Sequence, residues 1–165
     1  NFGLKLSIIN EFYNENGYID ALSGLIKRNL PRNFDYLLFS YHGIPKRQNI
    51  RTNPSYEDQV KISSKLCAQK IGLSDDKWGV SFQSRIGPGW LEPFTDITLK
   101  ELPKKGIKNI AVVCPSFVAD NLETLEEINI EARETFLESG GVEFQYIPCL
   151  NDDDNWIEFL SKFAV

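Results

Sequence analysis

Short apolar runs alternate along the chain with longer segments in which apolar residues recur every three or four positions. The short runs are rich in β-branched and aromatic residues and are bounded by turn-forming residues, which is typical of buried strands. Five such runs predict strands, at residues 4–9, 36–40, 79–82, 110–114 and 142–147.

The longer segments predict helices, because their apolar residues repeat with a helical period. The repeats are Ile19, Leu22, Leu25, Ile26 and Leu30, then Val60, Ile62, Leu66 and Ile71, and then Leu122, Leu125, Ile128, Ala132 and Phe136. A last helix is predicted over residues 156–163, because the preceding residues 151–154 (Asn-Asp-Asp-Asp) can cap its positive end. This alternation predicts an α/β fold, a three-layer αβα domain of Rossmann type with a mostly parallel sheet of four to five strands.

Composition narrows the class of protein. The 165 residues predict one domain, and 42% hydrophobic with 25% charged residues exclude a disordered or fibrous chain. A net charge of −5 argues against a nucleic-acid partner. The cysteines Cys67, Cys114 and Cys149 form no CxxC pair, which favours free thiols in a reducing compartment and a cytoplasmic location. The chain contains no Met, so we expect Asn1 to be an internal residue of a longer protein.

Ligands of parallel α/β sheets bind beyond the carboxyl ends of the strands. The single histidine, His42, follows the predicted strand 36–40, and Gly43 and Pro45 favour a tight turn after it. A neutral imidazole can accept a proton or bind a metal ion, because histidine titrates near neutrality. A loop histidine that only hydrogen-bonds the backbone is the alternative.

The segment after the third predicted strand, residues 83–91, combines polar residues, two glycines, a proline and Trp90. This composition predicts a loop that lines a flat, partly apolar pocket. An ordinary connecting loop with Trp90 in the core is the alternative.

Three glutamates follow the strand 110–114 at four-residue spacing: Glu123, Glu127 and Glu131, called here the acidic column. Side chains four apart share one helix face, where like charges repel by a few tenths of a kcal/mol per pair. With His42 at the same edge of the sheet, they could bind a divalent cation or relay protons. A solvated acidic face is the alternative. The sequence contains no GxGxxG, GxxxxGK[ST] or GxSxG motif, and a single histidine excludes HExxH zinc chemistry.

Taken together, residues 39–45, 81–91 and 114–128 resemble the signature segments of ferrochelatases, which insert ferrous iron into a porphyrin. Residues 18–22 and 146–151 are also similar, so the resemblance extends over the whole chain and is closest to the proteobacterial type. It implies a chelatase-like fold and a lyase of haem biosynthesis. Its substrates would be protoporphyrin IX and Fe2+, the substrate metal.

The resemblance also implies roles for individual residues. His42 and Glu123 would be catalytic and metal-binding, facing each other across the porphyrin, while Glu127 and Glu131 would relay protons or metal. The porphyrin would contact Tyr41, Gln83, Ser84, Arg85 and Trp90. Arg85 suits a propionate group by its charge.

The chain also departs from the family pattern. Family members have two similar α/β domains, and residues 1–165 match the carboxyl-terminal one, so the amino-terminal domain is an expected partner and this domain alone is expected to be inactive. The loop between Gly87 and Trp90 is one residue shorter, and Asn121 replaces a cysteine or histidine. The cysteine positions predict no iron–sulfur cluster.

Two alternatives to a ferrochelatase domain stay open. One is a non-catalytic domain that binds metal or a tetrapyrrole. The other is a homodimeric small tetrapyrrole chelatase, against which the single histidine argues. Peripheral contact with a membrane also stays open.

Overall fold

The structure, a computed structural model, describes residue 3 and residues 8–163. Four parallel strands form one sheet in the order β2-β1-β3-β4. The strands are β1 (Tyr36–His42), β2 (Trp78–Gln83), β3 (Asn109–Val113) and β4 (Glu143–Ile147). The predicted α/β class and parallel sheet are confirmed. Because β1 and β3 lie in the centre, their carboxyl ends stand side by side.

Helices cover both faces of the sheet. Those longer than one turn are α1 (Asn16–Asn29), α3 (Tyr56–Ile71), α4 (Thr95–Glu101), α6 (Arg133–Glu138) and α7 (Asp154–Ser161). Shorter elements are α2 (Lys46–Asn49), α5 (Leu122–Leu125), a π-helical segment (Glu127–Ala132) and 3-10 turns at Asp75–Lys77 and Pro103–Lys105.

The core is divided by the sheet into two clusters, because successive strand residues point to opposite faces. Phe39 and Val113 belong to the cluster that contains residues of α1, α3 and α7. Leu38 and Val112 belong to the other, which contains residues of α4, the π-helical segment and α6. This arrangement is the predicted three-layer αβα architecture.

Side-chain caps begin helices α3 and α7. Ser55 Oγ accepts a hydrogen bond from the Asp58 backbone N–H at the start of α3, and Gly72 ends that helix at φ +81°. At the start of α7, Asp153 accepts from the backbone N–H groups of Asn155 and Trp156. The predicted capping of the last helix is therefore confirmed.

Three details differ from the predictions. Residues 4–7 of the predicted strand 4–9 lie outside the described residues, and Ile8 and Ile9 are exposed and not in a strand. Helix α4 was not predicted, because its seven residues between Pro93 and Pro103 are too few to show a period. The helix expected after β3 is interrupted by the π-helical segment. Within the described residues, none of the helices has the length and apolar character needed to span a bilayer.

Candidate functional site

His42 ends β1 and presents its ring at the carboxyl edge of the sheet. Its Nδ1 lies 2.7 Å from the Gly43 carbonyl oxygen. A carbonyl oxygen only accepts, so Nδ1 carries the hydrogen and the lone pair of the neutral ring is on Nε2. Nε2 lies 3.5 Å from Glu123 Oε1. The structure thus brings these two predicted residues together, with the basic nitrogen turned toward the carboxylate.

The backbone of His42 is held from both sides. Its N–H donates to Ser116 Oγ at 2.8 Å, and its carbonyl accepts from the Tyr56 hydroxyl at 3.0 Å. Burial raises the pKa of Tyr56 to about 12, so this hydroxyl remains a donor at neutral pH. Phe117 meets the imidazole edge to face, with ring centroids 6.0 Å apart. These contacts fix the position of the ring.

The sequence analysis did not identify these three supporting residues. Ser116 and Phe117 lie three and four residues after the end of β3, where ligands of a parallel sheet bind, so their position was a usable signal. Tyr56 begins α3, far from any strand end, and carries no such signal.

The loop after β2 is attached to the acidic column. Ser84 donates twice to Glu127, from its backbone N–H to Oε1 at 2.7 Å and from its hydroxyl to Oε2 at 2.6 Å. To do so Ser84 adopts φ +59°, a left-handed conformation that costs energy for a residue with a Cβ. The two contacts make Glu127 a link between the loop and the helical run.

The acidic column begins in α5 and continues through the π-helical segment. Asn121 caps α5 by accepting from the Glu123 N–H at 2.9 Å, while the Thr124 hydroxyl accepts from the Asn121 N–H. Farther along, the Glu131 N–H reaches the Glu126 carbonyl at 3.0 Å, five residues back, and this widens the turn. Glu123, Glu127 and Glu131 line one open groove of about 290 Å³, as their spacing predicts.

A second cleft of about 230 Å³ adjoins this groove. Glu127 and Glu131 contribute to it, together with Ser84, Arg85 and Asp96. The two cavities share Glu127 and Glu131, so a row of carboxylates leads from Glu123, beside His42, along the surface of the protein.

Asp120 fixes the loop that precedes the acidic column. Its carboxylate accepts from the Tyr146 hydroxyl at 2.5 Å, from Asn151 Nδ2 at 2.7 Å and from the Cys149 N–H at 3.2 Å. Partial burial acts to raise the pKa of Asp120, but these hydrogen bonds outweigh it and the pKa is lowered. The charged form of Asp120 therefore holds α5 in place, a role that the sequence analysis missed.

Trp90 and Arg85 lie at the rim of the site. Trp90 pairs with Pro45, and a Cβ built on Gly43 would come within 3.3 Å of its ring and 2.8 Å of the Gln83 carbonyl oxygen. The indole therefore lies beside the residue that follows His42. Arg85 is engaged by Asp96, with Nη2 to Oδ2 at 2.9 Å, and its guanidinium lies 4.1 Å from the Phe94 ring centroid.

Two predicted porphyrin contacts are buried. Tyr41 is 3% exposed, packs in the cluster on the side of α3, and its hydroxyl lies 2.9 Å from Ser64 Oγ. Gln83 is also 3% exposed, and its amide bonds to groups of the protein. The structure therefore places neither side chain on the open surface beside His42, and their contact with a porphyrin stays a prediction.

The spacing of the pair bears on one detail that the family resemblance implied, that the two groups lie across a porphyrin from each other. Groups on opposite faces of a flat macrocycle must be about 7 Å apart, which is twice a contact distance of about 3.5 Å. His42 Nε2 and Glu123 Oε1 are 3.5 Å apart, so no ring fits between these two atoms. Within residues 3 and 8–163 no three His, Cys, Asp or Glu side chains are grouped to hold a metal ion. A metal at this pair would need other donors.

Comparison with known proteins identifies the family. The sequence model of the ferrochelatase family matches residues 1–165. Two similar proteins are the ferrochelatases of Pseudomonas fluorescens strain Pf0-1, with 40% identity, and strain Pf-5, with 41% identity. Each match covers 98% of this chain and 54% of the relative. For the ferrochelatase of Ectopseudomonas mendocina strain ymp, identity is 40% and the coverages are 95% and 53%. The chain spans about half the length of these relatives.

Proposed function

The chain belongs to the ferrochelatase family, and we propose that it forms the carboxyl-terminal domain of a ferrochelatase. The reaction would insert Fe2+ into protoporphyrin IX and give protohaem, a lyase step of haem biosynthesis. The observation that carries the proposal is the pair of His42 Nε2 and Glu123 Oε1, 3.5 Å apart at the carboxyl edge of a parallel sheet.

Metal insertion requires that two pyrrole N–H protons leave while Fe2+ loses its water ligands. His42 Nε2 carries the lone pair that can take one proton, and the Glu123 carboxylate stabilises the resulting imidazolium. Glu123 can take the other proton. Before either group is protonated, Nε2 and the carboxylate can together bind Fe2+, since both are suitable donors. In this proposal the two groups act from the same face of the macrocycle.

The acidic column would move protons or metal between the pair and solvent. Glu127 and Glu131 line the groove that starts at Glu123, and Glu131 is exposed at its outer part. Successive carboxylates along an open groove can exchange protons or hydrated cations with bulk water. This placement supports the relay role proposed for Glu127 and Glu131.

The porphyrin itself would contact the loop after β2. The Trp90 indole lies beside Gly43 and offers a flat apolar surface, while Ser84 and Arg85 offer polar groups at the edge. Arg85 would meet a propionate while it stays paired with Asp96. Tyr41 and Gln83 would act from beneath the surface, since both are 3% exposed.

The partner that completes the cleft would be the amino-terminal domain, because the relatives have nearly twice the matched length. We place the enzyme in the cytoplasm, with peripheral membrane contact as an option. The second candidate is a domain that binds metal or tetrapyrrole without turnover. It is favoured by the exposure of the reacting pair, 36% for the His42 side chain and 46% for that of Glu123. A homodimer of this chain is the third candidate.

The test is metallation of protoporphyrin by Fe2+ or Zn2+, followed by absorption, in the full-length polypeptide and in the 165-residue chain. His42→Ala and Glu123→Gln should each lower kcat by about 10²-fold or more, since both remove acid–base groups. Glu134→Gln is the matched control, because Glu134 is an exposed glutamate of α6 outside the groove.

Each result separates the candidates. Turnover that persists in His42→Ala would overturn the proposed mechanism. Saturable binding of porphyrin without turnover in the full-length polypeptide would favour the binding domain. A solution mass of the 165-residue chain near that of two copies, with turnover, would favour the homodimer.

A further inference from the structure

A group of buried polar side chains lies beneath the site, on the face of the sheet that α4 and the π-helical segment cover. The side chains hydrogen-bond to one another, and each is at most 3% exposed. They are Ser40 of β1, Ser81 and Gln83 of β2, Thr95 of α4 and Cys114 after β3. Buried polar groups of this kind are costly unless every one is satisfied.

The Gln83 amide has one possible orientation. On one side it meets the Glu123 carbonyl at 2.9 Å and Glu127 Oε2 at 3.5 Å, and both oxygens only accept. The nitrogen, Nε2, must therefore face these two groups, and the oxygen, Oε1, must face the sheet.

This orientation fixes the direction of the hydrogen bonds behind it. Oε1 accepts from Ser40 Oγ at 2.9 Å and from Cys114 Sγ at 3.4 Å. Burial raises the pKa of Cys114, so its thiol keeps the hydrogen that it donates. Because Ser40 has one hydrogen and gives it to Gln83, Thr95 must donate to Ser40, and Ser81 must donate to Thr95.

The chain of donors thus runs from Ser81 through Thr95 and Ser40 to Gln83, and it ends on the acidic column. Hydrogen bonds that all point one way polarise and strengthen one another. The receiving carbonyl belongs to Glu123, whose side chain faces His42, and it lies just before the π-helical segment. Gln83 is also the register partner of His42 in the sheet. One residue therefore connects the two elements that carry the reacting groups.

We propose that Gln83 is a positioning residue, whose amide fixes the Glu123 backbone and the Glu127 carboxylate relative to the sheet and so sets where Glu123 meets His42. This inference rests on the proposed function of that pair. Both polar atoms of Gln83 are already engaged within the protein, so in this proposal the amide acts through Glu123 and Glu127.

The test compares Gln83→Leu and Gln83→Glu in the full-length polypeptide. Leu removes both functions of the amide. Burial beside Glu127 keeps a carboxyl at this position protonated, so Glu accepts from Ser40 and Cys114 and still donates to Glu123. Gln83→Leu should lower kcat by about five- to tenfold, the effect of one lost hydrogen bond, with KM for porphyrin nearly unchanged, and Gln83→Glu should restore most of kcat. A residue that binds porphyrin directly would raise KM instead.

Gln59→Leu is the matched control. Gln59 is a buried glutamine, 8% exposed, that donates to the Pro54 carbonyl at 3.0 Å from α3, on the opposite face of the sheet. The substitution Gln59→Leu makes the same chemical change as Gln83→Leu at similar burial, and it should leave kcat equal to that of the unmodified protein.

A second measurement does not depend on turnover. Amide hydrogen exchange across residues 122–132 should accelerate about five- to tenfold in Gln83→Leu, but not in Gln83→Glu or Gln59→Leu. Unchanged exchange or full kcat in Gln83→Leu would overturn the positioning role. If the unmodified protein shows no metallation, the proposed function fails, while the exchange experiment still decides whether Gln83 holds the segment.

Discussion

The two hydrogen bonds from Ser84 to Glu127 make a measurable contribution to the free energy of unfolding. Hydrogen bonds to a charged group contribute about 1.5–3 kcal/mol each when shielded, and less at a site that solvent reaches. Both residues are half-buried, so we take about 1 kcal/mol for each bond. Removing Glu127 also relieves repulsion from Glu123 and Glu131, by a few tenths of a kcal/mol per pair. Glu127→Ala should therefore destabilise the protein by about 1.5 kcal/mol, and Ser84→Ala by about 1 kcal/mol.

Urea unfolding of Glu127→Ala, Ser84→Ala and the double variant measures the coupling directly. Ser84→Ala removes only the hydroxyl, so the coupling energy reports the 2.6 Å contact between Oγ and Oε2 and should be about 1 kcal/mol. Ser84→Gly is a useful companion, because glycine also relieves the left-handed φ of +59° and should be more stable than Ser84→Ala by about 1 kcal/mol. Coupling below about 0.3 kcal/mol, within the error of additivity, would refute the link between the loop and the acidic column.

Three further predictions concern other parts of the molecule. Backbone hydrogen bonds from Lys108 and Asn109 lower the pKa of Asp35. The contribution of Asp35 to the free energy of unfolding is therefore fully present above the pKa of the unfolded state, about 3.9. It is lost as pH falls through the lower pKa of the folded state. Asp35→Asn should therefore cost about 1 kcal/mol at pH 7 in urea unfolding, and the difference from the unmodified protein should shrink below about pH 4; a constant difference would contradict it. Asp153→Ala should cost about 1 kcal/mol by removing the cap of α7, whereas Asp152→Ala, at an exposed neighbour, should leave the urea midpoint unchanged. Arg85→Ala should raise the KM for porphyrin up to about fivefold, the effect of one exposed ion pair. Asp96→Ala keeps the Arg85 guanidinium and should leave this KM unchanged. Equal effects of the two substitutions on KM would argue against a propionate contact at Arg85.

The layout of the site could be predicted because it depends on topology. In a parallel sheet the carboxyl ends of all strands meet at one edge, so His42, the loop after β2 and the acidic column were expected together. The side-chain alternation along β1 held a further signal that was not used. Tyr41 and His42 are neighbours in a strand, so one must face away from the other. The burial of Tyr41 in the cluster next to α3 follows from that rule.

Other features could not be predicted for physical reasons. Glutamates at four-residue spacing share a face in an α-helix, and they remain on one side when a turn widens to the π form. The spacing of Glu123, Glu127 and Glu131 therefore does not distinguish the two geometries. Tyr56 supports His42 through a contact between residues 14 positions apart, which depends on how α3 packs. The role of the buried Gln83 amide depends on every neighbouring donor and acceptor, and these are known only once the chain is folded.

The exposure of the His42–Glu123 pair bears on what the proposed catalysis would need around it. The side chains of His42 and Glu123 are 36% and 46% exposed in this chain, and charges in contact with water are screened. Proton transfer and dehydration of a metal ion gain most in a site from which water is excluded. In the proposed mechanism both groups act from one face of the macrocycle, so residues outside this domain would have to cover the other face. We therefore expect the 165-residue chain to bind porphyrin weakly and turn it over slowly, and the full-length polypeptide to recover the rate without any change at His42 or Glu123.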